Sequence, residues 1–184
     1  MTTYPTAEST AALGPQDQRH AAVLTALLDS LAAELSGRAD DPLHVQLGCN
    51  ELGAAVGLTG WALKCLAHGR PQRAEGYLRQ AANRIRESAQ WLGSASPAFA
   101  LSVLPSKAAV TVMGLLGYAQ HRADVIWPAT TPQAKAAHLC LQAVRHLVAA
   151  VHHAGEGHPE RAAHCLALAA PIDDRVAELL DQAD

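Results

Sequence analysis

The chain has 184 residues, of which 49% are apolar, 17% charged and 4% aromatic, with a formal net charge of -3. That apolar fraction excludes a disordered chain, four cysteines are too few for a disulfide scaffold, and slight acidity supplies no global attraction to nucleic acid. Ala occurs 39 times and Leu 25 times, against 11 Val and 3 Ile, so helix formers far outnumber strand formers and an all-α fold is expected.

Residues 1–15, rich in Thr, Ala and Pro, read as a flexible N-terminal tail. They lack the basic start and long apolar core of a secretory leader, which points to the cytoplasm. Proline at helix starts and glycine just past helix ends then divide residues 16–184 into one helical domain. A first helix runs from Gln16 to Ser36 with Leu24, Leu27, Leu28, Leu31 and Leu35 on one face. A second opens at Asp41-Pro42 and ends near His68-Gly69, and a third runs from Pro71 to about Leu92. Ser96-Pro97 suggests a short capped helix, and a fourth long helix runs from Pro105 to about Val125. Thr131-Pro132 caps and opens a fifth that ends near Ala154-Gly155; the sixth begins at Pro159 and is broken or kinked at Pro171. The expected architecture is a compact bundle of about six long helices. The apolar runs Leu52–Leu63 and Ala108–Ala119 are too short to span a bilayer, so no membrane role is expected.

A shift of 88 residues lays Gly69-Arg70-Pro71-Gln72-Arg73-Ala74 on Gly157-His158-Pro159-Glu160-Arg161-Ala162, and matches Leu78 with Leu166 and Ala81-Ala82 with Ala169-Ala170. Two pseudo-repeated three-helix halves, about 16–95 and 96–184, are therefore expected. This turn, with the Leu and Ala pair that follow it, resembles the start of the second helix in tetratricopeptide-type hairpins over about 15 residues per half. The preceding helices are far too long for that repeat, so its peptide-binding role is not carried over.

No stretch matches a catalytic or cofactor motif. In the second helix Gly53, Gly57 and Gly60 share a face with Gln46, Asn50 and Lys64. Such a smooth face serves close packing against a neighbouring helix, or association with a second copy of the chain; alternatively, the missing side chains leave room for a ligand near Asn50, Glu51, Trp61, Lys64 and His68. Cys65 and His68 have the spacing of a thiolate–imidazole pair, although a buried Cys ordinarily acts as a small hydrophobe. His121 and Asp124 are three apart on the fourth helix, and His138 precedes Arg145 by two turns on the fifth, which makes His121 and His138 further candidates for ligand contact or acid-base work. His152, His153, Glu156, His158 and Glu160 cluster at one turn, but no HExxH or paired CxxC spacing supplies a metal site. Arg73, Arg79, Arg84 and Arg86 read as a solvated face of the third helix, interrupted by Glu75 and Glu87, so nucleic acid is not an expected partner.

The first functional expectation is a non-enzymatic bundle that binds a protein partner or a small-molecule ligand. The second is a His/carboxylate-dependent enzyme of intracellular small-molecule metabolism, with or without a metal.

Overall fold

A computed structural model describes residues 12–36, 43–93 and 106–182, without the side chains of residues 106–109. Among the described residues seven helices form and no strand does: α1 (Pro15–Ser36), α2 (Leu43–Ala67), α3 (Pro71–Gly93), α4 (Ser106–Ile126), α5 (Pro132–Gly155), α6 (Pro159–Ala169) and α7 (Ile172–Asp181). The break at Pro171 separates α6 from α7, as proline requires when it removes a backbone donor inside a helical pattern. The short helix expected at Ser96-Pro97 and the cap expected at Asp41 lie outside the described residues, as do residues 1–11 of the expected tail. At the other end of that tail, α1 begins at Pro15, and the Leu13 N–H donates to Ala67 O at 3.0 Å, tying residue 13 to the end of α2.

Sequence chemistry sets the helix ends. The Thr131 side chain accepts from Ala134 N at 3.2 Å, satisfying one of the orphan donors at the start of α5. At the end of α2, Gly69 has φ 65°, its N–H donates to Leu66 O, and Arg70 N–H donates back to Cys65 O at 2.9 Å. At the end of α5, Gly157 has φ 77°, its N–H donates to Ala154 O, and His158 N–H donates back to His153 O at 2.8 Å. Both are Schellman caps, which need a residue free of a β-carbon in the left-handed region. They are equivalent bond for bond at a spacing of 88 residues.

α2 and α5 are the inner helices: α2 packs against α1, α3 and α5, and α5 against α2, α3, α4, α6 and α7. Their buried positions share one register, because twelve of the fourteen buried residues of α2 have a buried residue 88 positions further on in α5. Leu28, Leu31, Leu35, Leu52, Leu63, Leu78, Ile85, Leu92, Leu116, Leu141, Leu147 and Leu180 are its largest fully enclosed side chains. Their removal from water is the main favourable contribution to folding.

The glycines of α2 are accounted for by helix packing. A β-carbon on Gly53 would meet Ser36 Oγ and stand 2.7 Å from Ala32 O, and one on Gly60 would touch Leu28 Cβ at 3.4 Å. α1 therefore lies against this face, and the space that the sequence reading offered to a ligand is filled by Ala32, Ser36 and Leu28. On the α3 side, Ser88 Oγ donates to Gly48 O at 2.7 Å inside the core. No helix among the described residues is long and apolar enough to cross a membrane.

Candidate functional site

The Schellman turn after α2 reverses the chain and sets the first two turns of α3 beside the last two of α2. Trp61, Lys64, Cys65 and His68 from α2 then line one groove with Arg70 from the turn and Arg73 and Tyr77 from α3, around a cavity of about 120 Å³. Trp61 is 48% exposed, its ring centroid lies 6.4 Å from that of Tyr77 at an interplanar angle of 33°, and Lys64 Nζ stands 4.7 Å from the Trp61 centroid. An ammonium at that distance is attracted by the ring quadrupole, which holds both side chains in place. Lys64 and His68 also border a second groove of about 240 Å³ on the α1 side, with Gln18, Thr25 and Asp29.

The cations of this region fall into two sets. Further along α3, Arg79 pairs with Asp181 at 2.8 Å, Arg84 with Glu51 at 2.8 Å and with Glu87 at 3.3 Å, and Arg86 with Asp173 at 3.2 Å. The Glu51 partner holds the Arg84 pKa above its ordinary value, through a hydrogen bond first and direct charge attraction second. Lys64, Arg70 and Arg73 have no carboxylate partner among the described residues. The solvated arginine face read from the sequence is thus largely neutralised by α2 and α7, and its unpaired end opens onto the aromatic groove.

Of the candidates read from the sequence, Trp61, Lys64 and His68 come together. Asn50 is exposed on α2, eleven residues before Trp61 and so about 16 Å away along the helix. Glu51 is engaged by Arg84. His121 is exposed on α4, and Asp124 turns instead to α5, where its Oδ1 lies 3.0 Å from His138 Nδ1 at an angle poor for a straight hydrogen bond. The other ring nitrogen, His138 Nε2, lies 2.7 Å from Trp127 O; since a carbonyl only accepts, this nitrogen carries the proton. Arg145 donates to Gln120 Oε1 rather than joining His138. Tyr77, Arg70 and the role of Arg73 in the groove were not singled out from the sequence.

Burial raises the pKa of the Cys165 thiol and pushes that of Cys140 up to about 12. All four cysteines are free and buried, and no side-chain hydrogen bond joins Cys65 to His68 among the described residues. Around the α5–α6 turn, burial first and then His152, Arg161 and His158 lower the His153 pKa, with Glu160 opposing. No group of three or more His, Cys, Asp or Glu side chains among the described residues is placed to hold a metal ion.

Comparison with known proteins finds no matching family model, no matching curated protein and no matching solved structure.

Proposed function

We propose that the protein is a non-enzymatic helical binding protein whose ligand site is the groove between α2 and α3. One observation carries this reading: the half-exposed Trp61, flanked by Tyr77 and Lys64, faces a groove whose other cations, Arg70 and Arg73, have no carboxylate partner among the described residues. A half-exposed indole gives a ligand large contact area at low entropic cost, and polar groups around it supply orientation. The four buried, free thiols fit a reducing compartment, so the site is proposed to act in the cytoplasm. The equivalent Schellman turns and the shared burial register of α2 and α5 support descent of the two halves from one three-helix unit. In that account the groove belongs to the N-terminal half, since Trp61, Lys64 and Tyr77 correspond to Ala149, His152 and Cys165.

Native mass spectrometry of untagged protein, beside its denatured mass, tests the reading. A retained organic ligand that disappears in Trp61→Ala supports it; a ligand retained equally by Trp61→Ala contradicts it.

The enzyme reading has one observation in its favour, the His138–Asp124 pair. A general base needs a free ring nitrogen facing substrate, and here Nε2 is engaged by Trp127 O while Nδ1 faces the carboxylate. Binding is therefore the better reading.

A further inference from the structure

Resting on the α2–α3 groove as the binding site, we propose that its ligand is a small aromatic anion: a planar ring stacked on Trp61, bearing a phosphate or carboxylate held among Lys64, Arg70 and Arg73. Three features converge on this class. The groove contributes positive charge from two helices and the turn between them, and no carboxylate among the described residues lines it. On the same helix Arg79, Arg84 and Arg86 each meet an acidic partner, so the absence of one at Arg73 is a local property rather than a general habit of α3. The aromatic floor sits beside those cations, with Trp61 and Tyr77 in ring contact.

Charge and shape restrict the ligand further. Guanidinium groups bind phosphate and carboxylate through paired, charge-assisted hydrogen bonds, and an indole face adds attraction for a flat ring. The cavity of about 120 Å³ is close to the ~150 Å³ that accommodates a benzene ring, so it suits one ring rather than a fused dinucleotide. Trp61, Lys64, Arg70 and Arg73 are all exposed, so the ring and its anionic group meet the open groove side by side.

Titration calorimetry with phenyl phosphate tests the assignment, using cyclohexyl phosphate, inorganic phosphate and benzyl alcohol as comparisons. Phenyl phosphate is expected to bind at one site, more tightly than each comparison, and to weaken with added salt. Arg70→Gln/Arg73→Gln is expected to weaken it about tenfold, as is Trp61→Ala. Arg79→Gln/Arg86→Gln, the same change of two charges made on α3 outside the groove, is expected to leave affinity unchanged, and circular dichroism checks that each variant is folded. Equal binding of phenyl and cyclohexyl phosphate, or no binding of phenyl phosphate, overturns the aromatic-anion assignment. If benzyl alcohol binds as tightly as phenyl phosphate and is lost in Trp61→Ala, the anion assignment fails while the groove stands. If phenyl phosphate binding survives both groove variants, the groove itself is the wrong site and the proposal falls with it. A phosphotyrosine pentapeptide bound at least about tenfold more tightly than phenyl phosphate replaces the small molecule with a modified protein partner and also overturns the proposal.

Discussion

Leu92 occupies the position that a β-carbon on Gly48 would need: an added methyl would lie 2.6 Å from Leu92 Cγ and 2.7 Å from its Cδ2. Ser88, one turn earlier on α3, donates to Gly48 O, so α2 and α3 are locked at the same point by packing and by a buried hydrogen bond.

Gly48→Ala should therefore destabilise the fold by about 1–3 kcal/mol, since the fully enclosed Leu92 has no free volume into which to move. Gly57→Ala should do the reverse. Its β-carbon would meet only Ala32 Cβ, at 3.8 Å, so the gain in helix propensity of about 0.5–1 kcal/mol is expressed. Urea denaturation of the two variants beside wild type measures both signs.

The paired Schellman turns make a second prediction. Gly69 and Gly157 have φ of 65° and 77°, and a side chain in that region costs about 1–2 kcal/mol. Gly69→Ala and Gly157→Ala should each lower stability by that amount. Gly76→Ala, at a helical position with nothing within 4 Å of the added carbon, should not. Thermal melts of the three variants provide the comparison.

Acid should destabilise the C-terminal half. The His146 pKa is lowered first by burial and then by Arg145 and His164, and that of His153 first by burial and then by His152, Arg161 and His158. The unfolded chain, with histidines near their ordinary value of about 6.5, takes up protons before the folded one does. Stability from keeping these rings neutral is full above about pH 6.5 and is lost as pH falls from there through the lower folded values. The urea midpoint should fall between about pH 7.5 and 5.5 by less in His146→Gln/His153→Gln than in wild type. An equal fall in both proteins would contradict this assignment.

Helix punctuation was legible because its causes are local. Thr131 caps α5, Pro71 and Pro159 open their helices, and Pro171 separates α6 from α7, each from chemistry within a few residues of the boundary. The site was legible only in part, for the same reason. The sequence reads Trp61, Lys64 and His68 as neighbours of the glycine face of α2, whereas they meet in the groove on the α3 side. Arg70, Arg73 and Tyr77 join them only after the Gly69 turn sets α3 against α2, a juxtaposition that no single-helix pattern contains. Asp124 illustrates the limit: three-residue spacing offered His121 as its partner, whereas packing of α4 on α5 brings it to His138. Glu51 likewise faces Arg84, 33 residues away in sequence, a partner that the pattern of α2 alone does not contain.

The most direct test of the α2–α3 groove is a protein-observed NMR fragment screen read at the three tryptophan indole N–H signals. Trp61 is 48% exposed in the groove, whereas Trp127 is 6% exposed and lies elsewhere, so the two indoles separate specific binding from general perturbation. The account predicts that bound fragments shift the Trp61 indole and the Gly69 amide together, in a saturable manner, and leave Trp127 in place. Fragments that bind the protein while leaving Trp61 and Gly69 unmoved would contradict it.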